Sequence, residues 1–225
     1  MLLYKFKGSA DSLYALDIAI HERLFCSPYE ALNDPFEGQF RTLVSGPRSP
    51  VFGMQFGGNF GPGRGREVYT NAGLARLTGG KNVCSLTTAW QDVRMWALYG
   101  DSFRGLAFEF EVDDNHPQLR QVQYVDHLPK IDTGLLTSST FEDALSYKTH
   151  HWEYEAEWRF ITDQSYVVLE GRLRSILLGT RVPDAVKEAV LKIAPPDCTV
   201  HQVGLDPEGI RVTRHVQLPR PQRNV

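Results

Sequence analysis

The sequence has few of the features that mark secreted, metal-binding or membrane proteins. Its three cysteines, Cys26, Cys84 and Cys198, lie far apart, show no CxxC spacing and are odd in number. This pattern argues against a disulfide scaffold or a zinc site and indicates a reducing compartment. No apolar run approaches the roughly 20 residues that cross a bilayer, and the N-terminus lacks the apolar core of a signal peptide. We therefore predict a cytoplasmic protein with no membrane segment and no bound metal.

An excess of positive charge is also lacking. The 24 Lys and Arg residues against 27 Asp and Glu give a net charge of −3, which excludes a globally basic nucleic-acid binder but leaves room for a local basic patch. The sequence contains no GxGxxG after a strand, no P-loop, no GxSxG and no HExxH motif. The common signatures of dinucleotide, nucleotide, esterase and metalloprotease sites are therefore absent.

The 225 residues are enough for one large domain with a proper hydrophobic core. Strand patterns at 2–6, 82–86 and 104–112 are interspersed with helix patterns at 10–20, 91–99 and 183–193, without the regular alternation of a doubly wound sheet. We predict a single α+β domain over residues 1–216, with mixed and antiparallel sheets and flanking helices. We also predict a Gly-, Pro- and Arg-rich loop at 45–66 and a frayed tail at 217–225.

The most informative stretch alternates charged and aromatic residues between Glu153 and Phe160. Period-two alternation predicts a half-buried strand that carries Glu153, Glu155, Glu157 and Arg159 on one face. The simplest interpretation is a solvated strand face. The alternative is that two of the glutamates lie in a cleft, where carboxylates stabilise a positive charge that develops at a sugar carbon. Spacing alone favours the solvated face.

Other polar and aromatic residues also allow two interpretations. Ser85 and Thr87 could bind a ribose, but hydroxyls at a strand end more commonly bond their own turn. Trp96 and Tyr99 could stack on an aromatic ring, but their helical spacing is more typical of core residues. The Asn33-Asp34 pair precedes a proline and is best explained as a turn.

Several short motifs occur together in a fixed order. They are LYKF at 3–6, SPxExLNDPFE at 27–37, MWALYG at 95–100 and WxYExEWR at 152–159. This order resembles a bacterial and phage-associated family of domains of unknown function, over nearly the whole chain apart from the glycine-rich loop and the tail. The family name carries no activity.

More distantly, the chain resembles the ADP-ribosyltransferase superfamily. The likeness rests on Tyr4-Lys5 in the first strand, the Ser/Thr motif at 84–88, and Glu155-Ala156-Glu157 in a late strand. Tyr4-Lys5 stands where the superfamily has His or Arg, and the second motif contains S-L-T-T rather than S-T-S. The resemblance implies an NAD-binding fold with a sheet that is split.

The same resemblance implies roles for individual residues. Glu157 would bond the nicotinamide-ribose hydroxyl and stabilise the oxocarbenium ion, and Glu155 would orient the acceptor. The remaining NAD contacts would come from Ser85 and Thr87 at the ribose, Tyr4 or Lys5 near the adenosine, and Trp96 or Tyr99 on nicotinamide. The candidate substrate-binding residues are Asn33, Asp34, Arg64 and Arg159. The two arginines could contact a phosphate-bearing acceptor.

Our leading hypothesis is an NAD-dependent ADP-ribosyltransferase-like enzyme, acting as a toxin or phage-defence effector on protein or nucleic acid and held in check by a neutralising partner protein. One alternative is a non-catalytic binding module of a defence or mobile-element system. Another is a metal-dependent hydrolase or nuclease that uses the same carboxylates.

Overall fold

The computed structural model describes residues 1–28, 31–32, 41–43, 67–69, 81–127, 130–132, 142 and 144–216. The loop predicted at 45–66 and the tail predicted at 217–225 lie outside these residues. The α-helices are α1 (Ser12–His21), α2 (Val93–Leu98) and α3 (Asp184–Ile193), and 3-10 helices span Ser9–Asp11 and His150–Glu155. Within this part of the chain, no helix is both long and apolar enough to span a membrane.

The strands are numbered β1 to β16 in chain order. They are β1 (Leu2–Lys7), β2 (Arg23–Phe25), β3 (Ser27–Pro28), β4 (Arg41–Leu43), β5 (Glu67–Tyr69), β6 (Asn82–Thr87), β7 (Leu106–Glu111), β8 (Leu119–Gln121), β9 (Gln123–Val125), β10 (Lys130–Asp132), β11 (Tyr147–Thr149), β12 (Glu157–Thr162), β13 (Tyr166–Val168), β14 (Leu173–Leu178), β15 (Thr199–Asp206) and β16 (Gly209–His215).

One large sheet organises the fold. Its order is β16-β15-β14-β7-β1-β6-β12-β8, and β3 pairs with β6 outside this path. Only β14 and β15 pair in parallel, and the other neighbours in this sheet are antiparallel. A mixed sheet with helices packed against it is an α+β arrangement, which confirms the predicted fold class.

The two faces of the sheet are covered differently, because successive strand residues point to opposite sides. In β7, the predicted apolar face of Leu106, Phe108 and Phe110 is buried together with residues of α1 and α3. The opposite face packs around Trp96 of α2, which contacts Phe6 and Phe103. Each large apolar side chain buried in this way contributes about 1.5–3 kcal/mol relative to an exposed one.

The large sheet is nearly divided between β1 and β6. Within these two strands the only pair is Tyr4 with Thr87, whereas β1 pairs with β7 at every residue from Leu2 to Lys7. Past that single pair the strands separate, and the ammonium of Lys5 donates to the carbonyl oxygen of Ser85 at 2.9 Å. The Lys5 side chain thus provides the Ser85 carbonyl with a hydrogen-bond donor, in place of the backbone N–H that a continued pairing of β1 with β6 would provide. The separation opens a cleft.

The predicted continuous strand from Glu153 to Thr162 is wrong over its first half. Residues His150–Glu155 form a 3-10 helix, Ala156 adopts a left-handed conformation with φ 42°, and β12 begins at Glu157. The reason is tertiary: the Glu155 carbonyl accepts from the Thr87 hydroxyl and the Ala156 carbonyl accepts from the Thr88 amide. These contacts hold the turn just beyond the end of β6, where no strand neighbour continues.

Candidate active site

The cleft at the separated strands has a volume of about 690 Å³. This is within the range of small-molecule sites. Its walls come from β1, β6, the 3-10 helix before α1, α2 and the 3-10 helix before β12. The lining residues are Tyr4, Lys5, Phe6, Lys7, Gly8, Ser9, Ala10, Asp11, Ser27, Ala31, Leu32, Ser85, Leu86, Thr87, Met95, Ala97, Leu98, Tyr99, Asp101, Lys148, Glu155 and Glu157.

Two buried glutamates meet at one end of the cleft and share a lysine. The Lys148 Nζ lies 2.6 Å from Glu155 Oε2 and 3.0 Å from Glu157 Oε2. Each of the three side chains is at most 6% exposed. Because two carboxylates that share one lysine repel each other, the ammonium between them offsets that repulsion.

Arg159 lies behind Glu157, two residues along β12 on the same face. Its Nε is 2.8 Å from Glu157 Oε1 and its second terminal nitrogen 3.0 Å from Oε2, which is a bidentate pair. Burial favours the neutral acid, but the charges and hydrogen bonds of Arg159 and Lys148 and a hydrogen bond from Ser85 outweigh it and lower the pKa of Glu157 to about 2. Glu157 is therefore a carboxylate at any physiological pH.

The second glutamate is oriented by a tyrosine and by its own backbone. The Tyr99 hydroxyl donates to Glu155 Oε1 at 2.5 Å, and the Glu155 carbonyl accepts from Thr87. Burial and this hydrogen bond raise the pKa of Tyr99, so its hydroxyl remains a donor. Since α2 ends at Leu98, the C-terminal turn of that helix positions the Tyr99 side chain over the acidic end of the cleft.

The cleft lining also carries two lysines of β1. Lys5 and Lys7 alternate with Tyr4 and Phe6 along β1, and both lysines line the cleft together with the 3-10 helix Ser9–Asp11. Burial and the charge of Lys5 lower the pKa of Lys7, whose ammonium is 3.9 Å from the carboxylate of Asp11. The cleft lining thus combines an acidic pair held by cations with two lysines that are accompanied by Asp11 and Asp101.

The structure brings together most of the predicted site residues. Of the predicted NAD contacts, Tyr4, Lys5, Ser85, Thr87 and Tyr99 line the cleft, and so do both predicted catalytic residues, Glu155 and Glu157. The Tyr4 hydroxyl, however, donates to Glu109 on the neighbouring strand. The interpretation of these glutamates as a solvated strand face is wrong, since both are 3% exposed.

Other predicted residues lie elsewhere. Trp96 is fully buried in the core, and its indole N–H donates to the Trp90 carbonyl at 2.7 Å, so it has no surface toward the cleft. Arg159 is also fully buried and pairs with Glu157, which lines the cleft. The predicted substrate-binding residues Asn33, Asp34 and Arg64 lie outside the described residues.

Three residues of the site were not predicted. Lys148 lies before the 3-10 helix that carries Glu155, and Lys7 continues an alternation assigned to a plain strand. The third is Tyr124, whose hydroxyl accepts from the Glu157 amide at 2.9 Å. Burial raises the pKa of Tyr124 to about 12. The excess of carboxylates over arginine in the stretch 153–159 was the one indication that a further cation would be needed.

Comparisons with known proteins do not assign this cleft. Within the residues that the structure describes, no three His, Cys, Asp or Glu side chains are placed to hold a metal ion. No protein-family model, curated protein or solved structure matches the chain. The chemistry of the cleft therefore has to be argued from its own residues.

Proposed function

We propose that the protein is an NAD-dependent ADP-ribosyltransferase-like enzyme, with the cleft between β1 and β6 as its NAD site. The observation that carries this proposal is the adjacency of three distant motifs. Tyr4-Lys5, Ser85-Thr87 and Glu157 are separated by about 70 to 80 residues in sequence but lie on the neighbouring strands β1, β6 and β12.

The polarity of the cleft supports a dinucleotide ligand. Carboxylates suit sugar hydroxyls and a developing cation, and lysines suit the negative charge of a pyrophosphate. In this proposal Ser85 and Glu157 hold the sugar, and Lys5 and Lys7 hold the pyrophosphate. The volume of about 690 Å³ is enough for a ligand of drug size or somewhat larger.

In this proposal Glu157 stabilises the positive charge at the ribose carbon as the bond to nicotinamide breaks. The acceptor nucleophile then forms a bond to that carbon and loses a proton, so ADP-ribose is transferred and nicotinamide is released. Arg159 keeps the carboxylate ionised and fixed in direction, since both of its oxygens accept from the guanidinium. Glu155, held by Lys148 and Tyr99, orients the acceptor.

The acceptor and the setting rest on the family resemblance alone. We infer a protein or nucleic-acid acceptor and a role as a toxin or phage-defence effector, for which a neutralising partner protein would be needed.

A second candidate function is a non-catalytic module that binds a nucleotide-like ligand. It is favoured by the saturation of Glu157, which accepts from Arg159 twice, from Lys148 and from Ser85. A carboxylate has about four acceptor sites, so a ribose hydroxyl has to displace one of these partners. If none is displaced, the cleft binds without turnover.

The test is release of nicotinamide from NAD by the purified chain, measured by chromatography together with a thermal shift on adding NAD. We expect the wild type to bind NAD and release nicotinamide, and Glu157→Gln to lose at least about a hundredfold in rate, as on removal of one transition-state-stabilising group.

Glu153→Gln is the matched control, because Glu153 is two-thirds exposed and its nearest partner is His150. It should leave the rate unchanged. A thermal shift with NAD but no nicotinamide release would establish the binding module instead, and no shift and no release would refute both candidates.

A further inference from the structure

Two of the three cysteines, Cys26 and Cys84, lie on neighbouring segments, and the proposed function does not use them. Cys26 immediately precedes β3, and Cys84 lies in β6. The antiparallel register pairs Ser27 with Val83 and Pro28 with Asn82. Its continuation by one residue places Cys26 directly opposite Cys84.

The two thiols contact each other. Cys26 hydrogen-bonds to Cys84, and its single S–H can turn either to that sulfur or to the carbonyl oxygen of Leu24, 3.7 Å away. Opposite residues of an antiparallel pair have Cα atoms about 4.5–5.5 Å apart. A disulfide requires Cα atoms about 4.4–6.8 Å apart, so the spacing expected for opposite residues falls within the range that the bond spans.

The surroundings make one of the two sulfurs reactive. The hydrogen bond from Cys26 and the nearby ammonium groups of Lys5 and Lys7 lower the pKa of Cys84, against the effect of burial. The thiolate is the nucleophilic form of cysteine. Cys26 has a raised pKa, caused first by the same hydrogen bond and then by burial. One attacking sulfur and one protonated partner are the two parts of a reversible dithiol.

The pair is buried close to the cleft. Cys26 and Cys84 are each 1% exposed, and their chain neighbours Ser27 and Ser85 line the cleft together with Lys5 and Lys7. The proposal requires that a molecule as small as a peroxide reaches the pair through this wall. Cys198 is the contrasting residue, since it is only partly buried and lies far along the chain.

We propose that Cys26 and Cys84 are a site of reversible oxidation, at which hydrogen peroxide forms a disulfide that joins the segment before β3 to β6 in the wall of the cleft. The Cys84 thiolate attacks the peroxide, an S–O bond forms, the O–O bond breaks, and the leaving hydroxide takes a proton to become water. Cys26 then attacks the sulfenic sulfur, the S–S bond forms and the S–O bond breaks, and the proton of Cys26 leaves with that hydroxide as a second water.

Two thiols thus lose two electrons, and one peroxide becomes two waters. The disulfide removes the negative charge that Cys84 places beside Lys5 and Lys7. The inference goes beyond the proposed function and stands whether or not the cleft binds NAD.

The chain offers a direct test by tryptic mapping. Cleavage after Lys and Arg places Cys26 in peptide 24–41, Cys84 in peptide 82–94 and Cys198 in peptide 193–211. The full chain would be treated with hydrogen peroxide, its remaining thiols alkylated in denaturant, and the peptides identified by mass spectrometry. We expect peptides 24–41 and 82–94 to appear joined, lighter by two hydrogens than their sum, and separated again by dithiothreitol.

Variants sharpen this test. Cys198→Ser should give the same joined peptides, and Cys26→Ser should leave Cys84 as a sulfenic or higher acid. The proposal is overturned if the wild type yields peptide 82–94 with an over-oxidised Cys84 beside an unreacted Cys26, or if Cys198 oxidises first. The wild-type result decides the matter even if a variant fails to fold, and it is read without any assay of NAD.

Discussion

Two glutamates in the same cross-strand row are held in opposite ways. The row runs across five strands as Ser175, Glu109, Tyr4, Thr87 and Glu157, and its Tyr4–Thr87 step is the single pair that joins β1 to β6. On one side Glu157 accepts from two cations. On the other side Glu109 accepts from two neutral hydroxyls, those of Tyr4 and Ser175.

The difference lies in what each carboxylate requires of its surroundings. A fully buried carboxylate needs opposite charge to remain ionised, since the loss of hydration costs several kcal/mol. Glu157 is 3% exposed and has that charge. Glu109 is only partly buried, so water and hydroxyl donors suffice. The acidic end of the cleft is therefore an ionic network that depends on each of its members, whereas the Glu109 side depends on ordinary hydrogen bonds.

The largest effect should follow from removing the guanidinium of the ionic network. Arg159→Met leaves Glu157 and Glu155 with Lys148 as the remaining cation of the network, and also removes a donor to the Leu145 carbonyl. We expect a loss of about 3–5 kcal/mol in the free energy of unfolding, as for breaking a buried ion pair. Urea unfolding monitored by tryptophan fluorescence measures it.

The control for this variant is Arg174→Met, which breaks the exposed pair between Arg174 and Glu111. Surface pairs contribute about 0–1 kcal/mol. Equal losses in the two variants would show that the buried network has no special importance for stability.

A somewhat smaller effect is expected from acid. The pKa of Glu157 is lowered from 4.5 to about 2 in the folded state, so the stabilisation is complete above the unfolded pKa and is lost as the pH falls from about 4.5 toward 2. The shift corresponds to about 3 kcal/mol. Unfolding free energies measured between pH 5 and pH 2 should fall more steeply for the wild type than for Glu157→Gln. Parallel curves would contradict the assignment of this pKa.

The smallest effect is expected on the hydroxyl side of the row. Ser175→Ala removes a hydrogen bond of 2.6 Å to Glu109 Oε2, but water can replace the donor because Glu109 is partly exposed. We expect a loss of about 1 kcal/mol by urea unfolding. Ser9→Ala, which removes an exposed hydroxyl donor to Asp101, should cost less. A loss for Ser175→Ala as large as that for Arg159→Met would remove the distinction between the two sides.

Local patterns were sufficient for much of the fold. The strand β7 and the helices α1 and α3 follow from period and propensity, and the structure has them close to the predicted bounds. The stretch before β12 was predicted wrongly, because a period-two pattern is compatible with a strand only if a neighbouring strand is available. At Glu155 none is, and hydrogen bonds to Thr87 and Thr88 replace it.

The candidate site was predictable in its residue types and less so in its arrangement. Glu155, Glu157, Ser85 and Tyr99 were identified from motif order, but Trp96 belongs to the core and Arg159 to the layer beneath the cleft. Lys148 was missed, since nothing in its local sequence distinguishes a buried lysine from an exposed one. Its role depends on two carboxylates that the chain brings to it only after turning back.

The sequence by itself determined the class of fold, the alternating strands and the set of charged and hydroxyl groups available to a cleft. The fold class and the strands depend on short-range periodicity, which can be seen directly in the order of residues. The tertiary structure decided where the sheet separates, that Lys148 lies between Glu155 and Glu157, and that Cys26 lies opposite Cys84. The physical reason is that desolvation, ion pairing and strand register depend on residues distant in sequence, and only the folded chain brings them within reach of one another.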